Sequence, residues 1–212
     1  MTVVVVAGTG TGIGKTWVTA ALATALRARG IPVSARKPVQ SFDPEHDATT
    51  DADELAAATG EDRYAVCPRH RRLARAMAPP MAAEALGDAE FTVAELAGEV
   101  MQNAPRESIV LVESVGGVRS PIAVDGDTVT LVNALQPELV VLVADAELGT
   151  INLVRLSAAA LAHDRVVVYL NRFDGETELH VRNRDWLVTR EGLEVVTNPE
   201  ALETIVAALA TP

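Results

Sequence analysis

Uninterrupted apolar runs alternate along this chain with stretches of helical composition. Val3 to Val6 are four β-branched residues with no polar alternation, the pattern of a central strand buried on both faces. Similar runs predict further strands at Ile31–Arg36, Ser108–Val112, Leu139–Ala144, Val166–Leu170 and Leu193–Thr197. Between them, helices are predicted over Trp17–Arg29 and from Asp51 to the stop at Gly60. Another starts within Met77–Leu86, around Pro79-Pro80. Val93, Leu96, Ala97 and Val100 give Thr92–Asn103 a helical stripe that belongs to a core. Later helices are predicted over Gly149–Leu161, around His180 and Trp186, and over Pro199–Ala210, which opens on proline. Strands and helices alternate without repeat, low-complexity stretch or internal linker. The fold class is therefore α/β, with a mainly parallel sheet and helices on both faces.

The first strand runs into Gly8, Gly10, Gly12 and Gly14, then Lys15, Thr16 and the first helix. Glycine at every second position lets the backbone coil tightly and turn its N–H groups inward. With the positive end of the following helix, those groups make a seat for a polyphosphate. Lys15 would reach the β/γ oxygens and Thr16 would offer its hydroxyl to Mg²⁺. Gly12, Ile13, Gly14, Lys15, Thr16 and Trp17 are thus the expected nucleotide-binding stretch of a P-loop NTPase-like domain. A strict G-x4-G-K-T spacing wants glycine at position 9. This chain has Thr9, so its loop is one residue longer.

Composition narrows the class. The chain has 212 residues, enough for one domain with a sizeable core, so 1–212 is expected to be a single domain. The 49% hydrophobic content with only 3% aromatics suits a sheet packed between alanine-rich helices. A net charge of −11 argues against nonspecific nucleic-acid binding and against an anionic membrane surface. Cys67 is the only cysteine, which excludes an internal disulfide and suits a small packing residue. No basic-then-apolar leader precedes the first strand, and no apolar run approaches the roughly 18 residues of a spanning helix. A soluble cytoplasmic protein is expected.

Of the 18 basic residues only Lys15 and Lys37 are lysine. A chain that uses arginine for its other side-chain cations keeps lysine where a compact ammonium is needed. Lys37 also stands just beyond a strand, before Pro38, on the edge where open α/β sheets bind ligands. Glu113 stands past the Ser108–Val112 strand, the place of an acid that holds Mg²⁺ beside a phosphate loop. Asp51, at a helix start, reads equally as a cap and as a ligand. His46, among Asp43, Glu45 and Asp47, belongs to a solvated loop rather than a metal site. The arginines at 63, 69, 71, 72 and 75 read as a solvated connector. His180, among charged residues, reads as exposed.

Together these stretches resemble the ATP-dependent dethiobiotin synthetase family. The resemblance rests on GTGTGIGKT at 8–16, KPVQS at 37–41, TDADEL at 50–55, APPMAAE at 78–84, VLVESVGG at 110–117 and LGTIN at 148–152. It implies ATP- and Mg²⁺-dependent carboxylation and ring closure of 7,8-diaminopelargonate with CO₂ or bicarbonate, by a single carboxylase and cyclo-ligase domain. It implies a metal site of Thr16, Asp51 and Glu113, with Lys15 and Lys37 flanking the γ-phosphate and carbamate. It places Thr11, Ser41 and Gly116 against the diamine and the nucleobase near Asn171, Asn198 and Pro199. In a homodimer, the neighbouring subunit's Gly149, Thr150, Ile151 and Asn152 would receive the substrate carboxylate. Ser114 and Val115 replace the family's usual Gly-Ala, and Phe42 replaces a small residue, so a paralogue acting on another amine is the alternative. A ParA/MinD-like regulatory ATPase is a second one. It would carry a further lysine where this chain has Gly10, and a basic or amphipathic surface, whereas Pro199–Pro212 has no Lys or Arg.

Overall fold

The computed structural model describes residues 1–104, 107–163 and 165–210. The chain opens with β1 (Thr2–Gly8), the phosphate-loop stretch, α1 (Lys15–Ala28) and β2 (Val33–Arg36). A two-residue strand β3 (Gln40–Ser41), α2 (Asp51–Thr59), the single turn α3 (Arg63–Val66) and β4 (Arg72–Leu73) follow. Next come α4 (Pro79–Leu86), α5 (Val93–Asn103) and β5 (Ile109–Glu113), then the small antiparallel pair β6 (Pro121–Ala123) and β7 (Gly126–Asp127). The remainder alternates: α6 (Thr128–Leu135), β8 (Leu139–Asp145), α7 (Thr150–Leu161), β9 (Val166–Asn171), α8 (Glu178–Thr189), β10 (Glu194–Val196) and α9 (Pro199–Ala207).

Six strands form one sheet in the order β10-β9-β8-β1-β5-β2, and every neighbouring pair is parallel. The fold is a single-domain α/β sandwich of the P-loop type. Val4 and Val6 of β1 pack with α1 and α9 through Val18, Leu22, Leu202 and Val206. Val3 and Val5 point to the other face, with Leu96 of α5, Leu131 of α6, Val154 of α7 and Leu187 of α8. Burial on both faces accounts for the absence of polar alternation in the strand sequences. A third cluster, with Ala35, Leu55, Val66 and Cys67, seats α2 and α3 on the β2 edge. Cys67 is fully buried there, and burial pushes its thiol up to about 12.

The sheet turns back at β1. From there the chain reaches β2 on one side, and from β5 it crosses β1 to β8, β9 and β10 on the other. That switch point is where α/β sheets open a crevice beyond their carboxyl ends, and the glycine loop follows β1 into it.

Several elements differ from the sequence expectation. Helix α1 begins at Lys15, so the loop feeds the helix without a spacer. Glu113 is the last residue of β5 rather than the one past it. Thr50, not Asp51, caps α2: the Asp53 carboxylate accepts from the Thr50 N–H and hydroxyl. His180 is buried, not exposed, because Phe173 and the turn at Asp174 fold over it. The arginine connector is only partly solvated. Arg71 is buried against Phe91, and its guanidinium grips Glu99 of α5 in a two-pronged pair.

Candidate active site

Gly14 caps α1 in the left-handed region, at φ +92°. A Cβ there would run into Asn171 Nδ2, and the left-handed backbone disfavours any side chain, so glycine fits best. Helix α1 has no side-chain cap and no acid in its first turn, which leaves its leading N–H groups for an anion. Lys15 folds back over the loop, donating to the carbonyls of Gly10 at 2.9 Å and Gly116 at 3.0 Å. Burial, with the Lys37 ammonium nearby, pushes the Lys15 ammonium down to about 8, against the pull of Glu113 and Asp51.

Three sequence segments meet beyond the loop. Lys37 is placed by its own N–H, which donates to the Val66 carbonyl at 2.8 Å. Asp51 is placed by β3, because the Gln40 amide oxygen accepts from the Ala52 N–H at 3.0 Å. Glu113 is placed by β5, whose register matches it to Val6 of β1. The Lys37 ammonium lies 2.6 Å from Glu113 Oε1 and 2.7 Å from Asp51 Oδ2. The Thr16 hydroxyl is within hydrogen-bonding distance of the same two carboxylates, at 2.9 and 3.0 Å. Lys37 and Glu113 are 1% and 0% exposed, so that ion pair sits out of water. Asp51 closes the cluster on the cleft side, with its carboxylate partly exposed. Burial alone would lower the Lys37 ammonium, but Glu113 and Asp51 hold it above its ordinary range. Burial alone would raise the Asp51 carboxyl, but Lys37 and the Thr16 hydroxyl hold it low.

The donor set fits a hard divalent cation. Glu113 Oε2 is buried and has no hydrogen-bond partner among the described residues, and a bare buried carboxylate oxygen favours a cation. Among the described residues no group of three or more His, Cys, Asp or Glu is placed to hold a metal ion by itself. Two carboxylates and a hydroxyl leave room for phosphate and water oxygens, which suits Mg²⁺ better than a metal that wants a closed protein cage.

These groups open onto a cleft of about 700 Å³. Thr11, Gly12, Trp17, Ser41 and Gly116 also line it. Ser41 already donates to the Met77 carbonyl at 2.5 Å. Phe42, Met77 and Val115 add apolar wall. Two groups of expected residues lie outside the cleft. Asn171 ends β9 and donates its amide N–H to the Ile13 carbonyl at 2.8 Å, from outside the loop. Asn198 caps α9 by accepting from the Ala201 N–H, and Pro199 opens that helix. Gly149 to Asn152 start α7, and Asn152 lines a separate groove with Arg155, Leu156 and Glu191. Sequence reasoning passed over Arg172, which touches the loop at Gly12. The signal available was its place directly after Asn171, at a strand's carboxyl end.

The sequence matches the family model described as "AAA domain" over residues 2–206. The ATP-dependent dethiobiotin synthetase BioD of Haloferax mediterranei is 37% identical over 197 residues, covering 92% of this chain and 82% of the relative. The ATP-dependent dethiobiotin synthetase BioD of Mycobacteroides abscessus is 34% identical over 199 residues, covering 92% and 85%. Among solved structures, the signal recognition particle receptor FtsY of Elizabethkingia anophelis superposes with a TM-score of 0.56 at 15% identity. That match covers 99% of this chain and 65% of FtsY, and the likeness is one of fold.

Proposed function

This chain belongs to the ATP-dependent dethiobiotin synthetase family, and from that premise we propose that it is a cyclo-ligase converting 7,8-diaminopelargonate, CO₂ and ATP to dethiobiotin, ADP and phosphate. The observation that carries the reading is the cluster at the loop's mouth: Thr16 and Lys37 each bridge Asp51 and Glu113, within 3.0 Å.

The chemistry that the family resemblance implies fits those positions. One substrate amine adds to CO₂ and gives up a proton, forming a carbamate. A carbamate oxygen attacks the γ-phosphorus and ADP leaves. The second amine then attacks the carbamoyl carbon and gives up a proton, closing the ureido ring and expelling phosphate. Each step crowds negative oxygens, so positioning and electrostatic stabilisation supply the catalysis. Lys15 swings from the Gly10 and Gly116 carbonyls to the β/γ oxygens. Lys37, between the carboxylates and the cleft, meets the carbamate oxygen and the transferring phosphoryl. Thr16, Asp51 and Glu113 hold Mg²⁺, which when bound neutralises phosphate charge. The loop from Gly12 through Trp17 seats the phosphates, and the nucleobase lies toward Asn171, Asn198 and Pro199. Thr11, Ser41 and Gly116 position the diamine. No nucleophilic cysteine or acid–base histidine is required.

The functional unit in this reading is a homodimer. The N–H groups at Gly149, Thr150, Ile151 and Asn152 of each subunit bind the substrate carboxylate in the other's cleft. Exposed Leu148, Leu153 and Leu156 support a second copy on α7. No helix among the described residues is long and apolar enough to cross a membrane, which fits a cytoplasmic setting.

Phe42 and Val115 on the cleft wall favour a second reading, an enzyme of the same chemistry acting on another amine. Measuring ADP release with and without diaminopelargonate and bicarbonate, with product identified by mass, separates the two. Dethiobiotin formed in proportion to ADP is the expected result. Bicarbonate-dependent ADP release with a different amine favours the second reading, and turnover indifferent to any amine ends both.

A further inference from the structure

A loop that turns its N–H groups toward a phosphate turns carbonyls away from it, and those carbonyls need donors of their own. Three are supplied here. Lys15 donates to Gly10, Asn171 Nδ2 to Ile13, and an Arg172 guanidinium N–H to Gly12 at 3.1 Å. The Lys15 contact is the one given up when its ammonium turns to a nucleotide. The other two come from consecutive residues at the carboxyl end of β9 and approach from outside the cleft.

Arg172 has the more particular geometry. It holds φ +55°, a left-handed conformation that residues with a Cβ seldom adopt. Such outliers persist where the surroundings over-determine them, and they gather at functional sites. Its guanidinium is anchored by Asp145 Oδ2 at 2.7 Å. Asp145 is the last residue of β8 and pairs in register with Asn171. One planar fork therefore joins the end of β8, the end of β9 and the loop leaving β1. Gly12, the residue gripped, is itself left-handed at φ +74°, so its peptide orientation has no side chain to fix it.

We infer that Arg172, anchored by Asp145, is a positioning residue that sets the phosphate loop at Gly12 in its anion-binding conformation before nucleotide arrives. The inference rests on the phosphate-loop reading above. Lysine would serve poorly, since the role needs two divergent donors held in one plane. As an exposed ion pair the Arg172–Asp145 contact adds little to global stability, so its effect should be local.

Arg172→Asn is the informative variant, because asparagine tolerates the left-handed region and only the guanidinium is lost. Asp145→Asn removes the anchor independently. In nucleotide-free protein, amide hydrogen exchange of residues 10–14 should accelerate about tenfold in both variants, as local opening without global unfolding. The melting temperature should stay within about 2 °C of the parent, the shift of a small stability change. ADP affinity should fall about tenfold, the scale of one charge-assisted hydrogen bond. Unchanged exchange at 10–14 overturns the inference, as does faster exchange spread over the whole chain with a lower melting temperature. Faster loop exchange with unaltered ADP affinity overturns the positioning role. If the parent protein binds no ADP, the nucleotide reading fails by itself, and the exchange data still judge the latch.

Discussion

Lys37 concentrates the chemistry of the cleft in one ammonium. It is 1% exposed and touches Glu113 at 2.6 Å and Asp51 at 2.7 Å, so it is the resident counter-charge of both carboxylates. A compact ammonium fits between two such oxygens, whereas a guanidinium is wide and planar. Lys37→Arg should therefore lose about a hundredfold or more in kcat, nearly as much as Lys37→Ala, as expected for a group acting mainly in the transition state. The KM for ATP should change far less. Removing the charge also strands two acids, so Lys37→Ala should melt earlier than the parent, whereas Lys37→Arg keeps a cation. Steady-state kinetics with melting curves on both variants check this; an active Lys37→Arg enzyme would reduce Lys37 to an ordinary phosphate-side cation. Glu113→Gln should likewise cut turnover on the order of a hundredfold, the scale of losing one charge-stabilising group. Wild-type turnover by that variant at low Mg²⁺ would take Glu113 out of the proposed metal site.

At the scale of elements, the connector between α3 and β4 is tied down by its arginines. Arg71 is buried over Phe91 and grips Glu99 on α5 at 2.6 and 3.1 Å. Burial would raise the Glu99 carboxyl, but the Arg71 and His70 hydrogen bonds hold it below its ordinary value of 4.5. A depressed carboxyl stabilises the fold above its unfolded pKa and loses that effect as pH falls through its folded one. Glu99→Gln should thus cost roughly 1–3 kcal/mol near neutral pH, the scale of charged hydrogen bonds. Its melting temperature should converge with the parent's as pH drops below 4.5. A gap that stays constant with pH would mean the pair is not electrostatic. These arginines also mark where the sequence was opaque. Five of them looked like a solvated run, and only the packing of α5 against the connector shows Arg71 drawn inward. The core strands were legible because burial on both faces leaves no polar position to misread. Helix α6 was not: Thr128, Val129, Thr130 and Val132 are β-branched, and the Asp127 cap with packing against α5 overrides that propensity. On α8, His180, Asn183 and Leu187 form a buried stripe at helical spacing, disguised by two polar members. Thr16, Lys37 and Glu113 stood out because each marks a strand end or helix start, whereas Asp51 read equally as a cap and was singled out only by the family resemblance. Arg172 carries no motif, and its place depends on a strand order that sequence does not reveal.

For the whole molecule, the unmet surface lies on α7 and the turn before it. Leu148 is 87% exposed and Leu156 64%, beside Leu153 at 46%. The turn that carries Leu148 is not loose: Asn183 Nδ2 donates to the Ala146 and Glu147 carbonyls from within α8. A rigid, apolar projection that its own chain leaves uncovered favours a partner over solvent. It adjoins Gly149 to Asn152, which lie outside their own chain's cleft, so a second copy would cover the leucines and complete the neighbour's site together. A two-fold arrangement makes that exchange reciprocal. Light scattering should accordingly give twice the chain mass for the parent. Leu148→Glu with Leu156→Glu should shift the mass to that of one chain, because each places a charge in the centre of the contact, where charges are depleted. The monomer should still bind ADP, since the phosphate loop, Lys15 and Thr16 all belong to one subunit. Dethiobiotin synthesis should fall on the order of a hundredfold, mainly through KM for the diamine, as expected when carboxylate recognition is lost. A monomeric variant with full synthesis would detach α7 from the active site, and a variant that remains dimeric would place the interface on another face.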